Sequence, residues 1–120
     1  MSTVLLAEDD PDLRHLVSAK LHGSGFDVIE TADRDALVTI RREHPDVVLL
    51  DLRRPGLETL EVLRRLRADP DTAALPVIVL TARPRSLDEA AGTTDYLLKP
   101  FSPSELVRRI EDALTRVGGR

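Results

Sequence analysis

Four short apolar runs in this chain each end on a residue with a carboxylate, hydroxyl or ammonium group. The runs and the residues that follow them are Val4–Ala7 before Glu8, Asp9 and Asp10, Val47–Leu50 before Asp51, Val77–Leu80 before Thr81, and Tyr96–Leu98 before Lys99 and Pro100. If the runs are buried parallel strands, their carboxyl ends meet at one edge of a sheet. The polar groups would then form a single acidic pocket with one cation, which suits a divalent metal ion and a phosphoryl group.

The carboxylates of this pocket would repel one another unless a cation neutralised them. Glu8, Asp9 and Asp51 would lie close together, and Mg²⁺ binds readily through one or two carboxylates, several waters and a substrate phosphate. Mn²⁺ suits the same oxygen ligands. Lys99 then supplies a positive charge, and Thr81 a hydroxyl donor, for a phosphoryl group carried by Asp51. These parts suffice for phosphoryl transfer, because that reaction depends mainly on alignment and charge stabilisation.

Composition limits the class of protein that can carry this pocket. At 120 residues, 42% hydrophobic and with a net charge of −4, the chain predicts one globular domain that buries roughly two-thirds of its unfolded surface. It has no cysteine, which excludes disulfides and thiolate metal sites. No secretory signal and no apolar run near membrane-spanning length is visible, so we expect a cytoplasmic protein without a membrane partner. Arginines are spread beside acids, and we expect no direct nucleic-acid binding.

Helical spacing between the apolar runs predicts the elements that position the pocket. Apolar runs alternate with segments of helical periodicity, which indicates an α/β fold with a parallel sheet covered on both faces. We expect five strands and five helices. The predicted buried positions of the first and last helices are Leu13, Leu16, Val17 and Leu21, and Leu106, Ile110, Ala113, Leu114 and Val117. The last helix begins at the capping box Ser102–Glu105.

The motifs, in this order, resemble the receiver domain of bacterial two-component response regulators over essentially the whole chain. The matching segments are Ala7–Asp10, Leu49–Leu52, Pro55–Gly56, Leu80–Ala82 and Asp95–Phe101. The resemblance implies a flavodoxin-like (βα)5 doubly wound sandwich with strand order 2-1-3-4-5. It also implies a receiver domain over residues 1–117, followed by a tail or the start of a linker at residues 118–120.

The resemblance further implies a phosphoacceptor and a metal site. Asp51 would take a phosphoryl group from the phosphohistidine of a sensor histidine kinase, or from a phosphotransfer protein, in a Mg²⁺-dependent reaction. Asp9 would bind the metal directly, Glu8 through water, and Arg53 through its backbone carbonyl, with Asp51 completing the set. The domain would be a signalling phosphoacceptor that supports its own phosphotransfer and autodephosphorylation, and not an enzyme with a separate substrate.

Other residues acquire signalling roles from the same resemblance. Thr81 and Lys99 would contact the phosphoryl oxygens, and Thr81 and Tyr96 would form the switch that changes the surface. The Lys99–Pro100 peptide bond is expected to be cis. A homodimer is left open.

Two departures from the family pattern concern the surroundings of the pocket. Arg53 and Arg54 replace residues that are commonly apolar, and Arg83 lies two residues after Thr81. We hypothesise that Arg53 and Arg83 shield the phosphoryl group from water and slow its loss. The segment between Thr81 and Lys99 is about four residues shorter than usual, which predicts a shortened fourth helix, by roughly one turn.

Several of these residues also have simpler explanations. Asp10 would cap the first helix, and we favour this role over metal ligation. Tyr96 would equally suit a half-buried position in the sheet. The whole chain also fits a receiver-like docking or dimerisation module that is never phosphorylated. A phosphatase of the haloacid dehalogenase type is excluded by Arg53, where that motif needs a second aspartate.

Overall fold

In this computed structural model, residues 2–51, 57–82 and 94–118 are described. Its strands are β1 (Thr3–Ala7), β2 (Asp27–Thr31), β3 (Val47–Asp51), β4 (Val77–Thr81) and β5 (Asp95–Leu98), and its helices are α1 (Pro11–Gly23), α2 (Ala36–Glu43), α3 (Leu57–Ala68) and α4 (Pro103–Gly118). A 3₁₀ helix, Asp33–Asp35, precedes α2. The predicted short helix between β4 and β5 lies outside the described residues, as do Arg53 and Arg83.

The five strands form one parallel sheet in the order β2-β1-β3-β4-β5. This order confirms the predicted doubly wound α/β fold. At the carboxyl edge, Ala7 is paired with Leu50, Asp51 with Leu80, and Thr81 with Leu98. The strands therefore end almost in step, so the residues that follow them emerge along one side of the sheet.

Alternation of side chains along the strands divides the apolar interior into two cores. One core contains Leu6 and Leu49 from the sheet, with residues of α1 and α4 packed on them. The other contains Leu5 and Leu50, with residues of α2 and α3 on the opposite face. The central strands β1, β3 and β4 are buried almost completely on both faces, which explains their continuous apolar sequences.

The last strand departs from the expectation of a buried apolar run. Leu97 is buried, but Tyr96 is 42% and Leu98 40% exposed. β5 forms an edge of the sheet, and among its residues only Leu97 belongs to the described core. Residues 96–98 of β5 form an apolar run, although only Leu97 contributes to the core.

The first helix also corrects a prediction, since Leu16 is 62% exposed. The buried face of α1 contains Val17, Ser18 and Leu21 instead. A helix turns by roughly 100° per residue, so Leu16 lies well away from the direction shared by Ser18 and Leu21. Hydrophobicity alone favoured Leu16 over Ser18, a small hydroxyl residue that is buried.

Polar side chains stabilise the starts of two helices, as the sequence predicts. The carboxylate of Asp10 accepts hydrogen bonds from the backbone N–H groups of Asp12 at 3.0 Å and Leu13 at 3.5 Å. At α4, the hydroxyl of Ser102 accepts a bond from the N–H of Glu105 at 3.0 Å. These contacts satisfy N–H groups that lack partners within their helices. Asp10 is therefore a helix cap, as favoured from the sequence.

Helix α4 is tied to β5 by a cluster of charged groups. Arg109 donates to Glu105 at 2.8 Å and to the carboxylate of Asp95 at 2.9 and 3.1 Å. Hydrogen bonds from Arg109, and then from Arg108, lower the pKa of Glu105 below its ordinary value. The bonds to Glu105 and Asp95 raise the pKa of Arg109. Glu105 and Arg109 therefore stay charged near neutral pH, and Arg109 holds the helix against the edge strand.

No helix in the described parts of the chain is long and apolar enough to cross a membrane.

The contrast between Leu21 and Leu16 provides a matched test of the fold. Leu21→Ala removes a fully buried side chain, so we expect the free energy of unfolding to fall by about 2–5 kcal/mol. The same change at Leu16, on the same helix, should alter it by about 0.5 kcal/mol or less. Urea unfolding followed by circular dichroism measures both values. Equal losses would show that the buried face of α1 is assigned incorrectly.

Candidate functional site

Two buried carboxylates lie at the carboxyl edge of the sheet. Glu8 directly follows β1 and Asp51 is the last residue of the neighbouring strand β3. Side chains two residues apart on a strand point to the same face of the sheet. Glu8 follows Leu6 by two residues and Asp51 follows Leu49 by two, so both lie on the face that α1 and α4 cover. Glu8 is 1% and Asp51 2% exposed. Carboxylates this deeply buried are costly unless positive charge or hydrogen bonds compensate them.

Lys99 provides positive charge to both carboxylates. Its ammonium group donates a hydrogen bond to Oδ1 of Asp51 and lies 3.7 Å from Oε1 of Glu8. The lysine side chain is 26% exposed, so the cation is held between buried groups and the surface. The predicted grouping of these three residues is present in the structure.

The main chain fixes the position from which Lys99 reaches the carboxylates. The backbone N–H of Lys99 donates to the carbonyl of Thr81 at 2.7 Å, which extends the β4–β5 pairing by one bond. The following peptide bond, Lys99–Pro100, is cis, the isomer that the resemblance implied. Thr81 is 1% exposed and ends the strand beside Asp51. Hydroxyl, ammonium and carboxylate thus come from adjoining strand ends.

The acidic turn after β1 is held by several backbone contacts. The N–H of Glu8 donates to the carbonyl of Thr31 on β2 at 3.3 Å. Oε2 of Glu8 accepts from the N–H of Asp10 at 3.1 Å. Arg14, on α1, donates to the backbone carbonyl of Glu8 at 2.8 Å. The sequence did not predict this role for Arg14. Its position near the start of α1, close to the acidic residues, was the only indication.

Other predicted site residues occupy more open positions. Asp9 is exposed at the end of β1 and Tyr96 is partly exposed on β5. The three histidines, predicted to be solvated, are exposed. Within the described ranges, no three His, Cys, Asp or Glu side chains form a complete set of metal ligands. The acidic groups at this edge nevertheless offer only oxygen donors, which is the chemistry that a hard divalent cation prefers.

A comparison with protein-family models identifies the family of this chain. A family model described as the response regulator receiver domain matches residues 4–111. The chain belongs to this family. Its strand order and polar strand ends are therefore those of a receiver domain of two-component signalling.

Solved receiver structures are similar over nearly the whole chain. A protein described as a putative response regulator, from Chloroflexus aurantiacus J-10-fl, is 34% identical, with a TM-score of 0.85 and coverage of 95% of this chain and 98% of that one. The receiver domain of a sensor histidine kinase from Pseudomonas aeruginosa PAO1 is 31% identical, with a TM-score of 0.85 and coverage of 94% and 97%. That structure was solved with a magnesium ion coordinated in its active site cleft.

Curated relatives of this receiver domain are longer proteins. The DNA-binding response regulator MtrA of Mycolicibacterium smegmatis is 40% identical over 118 residues, which cover 94% of this chain and 50% of the relative. The probable transcriptional regulatory protein TcrX of Mycobacterium tuberculosis is also 40% identical, with 97% and 51% covered. The chain spans about half the length of these relatives.

The free energy of unfolding tests whether Lys99 compensates the two buried carboxylates. Lys99→Met keeps the length of the side chain but removes the charge from beside Glu8 and Asp51. We expect the free energy of unfolding at neutral pH to fall by about 1–3 kcal/mol, because buried charged groups lose a partner. We also expect added Mg²⁺ to recover part of the loss.

Lys20→Met is the matched control, since Lys20 is the other lysine of the chain and lies exposed on α1. It should leave both the stability and its Mg²⁺ dependence unchanged. Chemical unfolding of wild type and both variants, each with and without Mg²⁺, measures the six values. If Lys99→Met is as stable as wild type, Lys99 does not compensate the buried carboxylates.

Proposed function

We propose that this receiver domain accepts a phosphoryl group on Asp51 from the phosphohistidine of a sensor histidine kinase or a phosphotransfer protein. The observation that carries the proposal is the placement of Asp51. It is a buried carboxylate at the end of a central strand, with an ammonium group bonded to one oxygen and a second buried carboxylate nearby. Membership of the receiver family and the motif positions support the same assignment.

Asp51 acts as the nucleophile in the proposed reaction. One of its oxygens forms a bond to phosphorus while the bond between phosphorus and the donor histidine nitrogen breaks, and the histidine keeps that electron pair. Lys99 starts beside Oδ1 of Asp51 and stabilises the negative charge of the transferred oxygens. The hydroxyl of Thr81, on the adjoining strand end, donates to one of those oxygens. Subsequent attack by water on phosphorus regenerates Asp51 and gives autodephosphorylation.

Mg²⁺ is the proposed cofactor, and Mn²⁺ would suit the same ligands. Asp9 and Asp51 would hold it directly, Glu8 through water, and Arg53, which lies outside the described residues, through its backbone carbonyl. When bound, the ion neutralises phosphoryl oxygens and aligns the donor with the acceptor. The oxygen chemistry of Glu8 and Asp51 supports this choice.

The modification would become a signal through a change of charge. A phosphoryl group adds about −1.5 to −2 charge beside Asp51, where buried carboxylates already lie. Thr81 and Lys99 move toward the new oxygens, and the side chain of Tyr96, which starts 42% exposed, turns inward. The surface around β5 is thereby biased between two states. A homodimer in one of these states is compatible with this surface.

The output activity, the cellular location and the competing function are parts of the proposal. The DNA-binding activity that names one relative belongs to a protein about twice as long, so we do not assign it to this domain. A cytoplasmic location stays a prediction. The competing function is a receiver-like docking or dimerisation module that takes no phosphoryl group, and direct modification of Asp51 distinguishes the two.

Phosphorylation can be tested without the kinase. Wild-type protein is incubated with Mg²⁺ and acetyl phosphate, and intact mass is recorded beside Asp51→Asn. We expect one added phosphoryl group on wild type and none on the variant, because the amide is not a nucleophile of this kind. Beryllofluoride with Mg²⁺ should change the amide spectrum of wild type and leave that of Asp51→Asn unchanged.

Asp27→Asn provides the matched control, since Asp27 is an exposed aspartate on β2. It should be modified as wild type is. Circular dichroism of Asp51→Asn establishes that it is folded. No modification of wild type by either reagent would refute the proposal and favour the docking module.

The shielding hypothesis concerns the lifetime of the phosphorylated form. Replacing Arg53 and Arg83 together with alanine should speed the loss of phosphate, because guanidinium groups that hold phosphoryl oxygens would no longer hinder water. The rate is measured by intact mass after the donor is removed. Arg64→Ala, which changes an exposed arginine paired with Glu61, should leave the rate unchanged. Equal decay of the double variant and wild type would reject the hypothesis.

A further inference from the structure

Arg14 connects three elements beside the acidic turn. It belongs to the first turns of α1, and its Nη1 donates to the backbone carbonyl of Glu8 at 2.8 Å. Its Nε donates to the carboxylate of Glu30 on β2 at 3.1 Å. The side chains of Arg14 and Glu30 are 25% and 34% exposed, so the pair is partly shielded from solvent. A planar guanidinium held at two of its nitrogens has little freedom to rotate.

The carbonyl that Arg14 binds lies in the peptide group between Glu8 and Asp9. A peptide group is planar, so fixing its oxygen also fixes the direction of the Asp9 N–H. The N–H of Glu8 is bonded to Thr31, and the carboxylate of Glu8 accepts from Asp10. With Arg14, the chain is thus restrained on both sides of the bond that leads into Asp9. The exposed Asp9 side chain projects from a backbone whose direction is set by its neighbours.

The charge of Arg14 is suited to a positioning role. At the acidic turn its guanidinium bonds to a main-chain oxygen, the carbonyl of Glu8. Glu30 offsets the arginine charge from the side of β2. The guanidinium therefore orients the acidic turn through its main chain.

We infer that Arg14, held by Glu30, is a positioning residue that orients the Glu8–Asp9 peptide so that Asp9 and Glu8 bind one divalent cation together. This inference rests on the proposed Mg²⁺ site and adds a determinant of its affinity. Partners that orient metal ligands typically contribute tenfold or more to metal affinity. Arg14 acts through the backbone of Glu8 and makes no contact with the metal itself.

The test measures Mg²⁺ binding directly, by calorimetry and by titration of the amide spectrum. Arg14→Ala should weaken Mg²⁺ binding by about tenfold. Glu30→Ala should weaken it less, and Glu30→Gln should return it close to the wild-type value, because the amide oxygen still accepts from Nε. The Asp9 amide resonance should move in Arg14→Ala before any metal is added, because its peptide group loses a hydrogen bond. A general loss of stability would not produce this combination.

Arg41→Ala is the matched control, since Arg41 forms a comparable surface ion pair, 3.7 Å from Asp69, on α2. It should leave Mg²⁺ affinity unchanged. Wild-type affinity in Arg14→Ala would overturn the inference while leaving the proposed metal site intact. If Arg14→Ala does not fold, equal affinities of Glu30→Ala and wild type would overturn it. A wild-type protein that binds no Mg²⁺ would refute the metal site itself, and the role of Arg14 with it.

Discussion

Lys99 lies between two carboxylates that the fold buries almost completely. Glu8 and Asp51 reach the same place because β1 and β3 are neighbours in register, and two like charges this deep in a small protein are unfavourable alone. The ammonium group compensates them only if β5 ends where it does, two strands away from β3. Strand order, register and the loop after β5 are therefore all constrained by one electrostatic requirement.

Burial of the central strands on both faces explains why the apolar sequences are so regular. Strands β1, β3 and β4 are covered on both faces, and their side chains leave no room for polar groups until the carboxyl edge is reached. The polar side chains that could react are thus confined to the carboxyl ends of the strands. The two apolar layers hold these residues on a rigid base, while the edge strand β5 presents both a buried leucine and exposed side chains to its surroundings.

The sequence was sufficient for the fold because each central strand is a short apolar run and each strand end carries a distinctive polar group. It also led to the pairing of Asp51 with Lys99. It was insufficient where packing depended on three-dimensional context: Ser18 replaces Leu16 in the buried face of α1, and β5 is an edge strand. Arg14 was missed because its partner Glu30 is 16 residues away and looks like any other surface acid.

Tyr96 has a practical consequence of a different kind. It is the single tyrosine of a chain that contains no tryptophan, and it lies 42% exposed, three residues before Lys99. Intrinsic ultraviolet emission from this protein therefore originates almost entirely at one position, next to the strand end that carries the cation. The molecule contains its own optical probe, so events at this edge can be followed in real time in the unlabelled native chain.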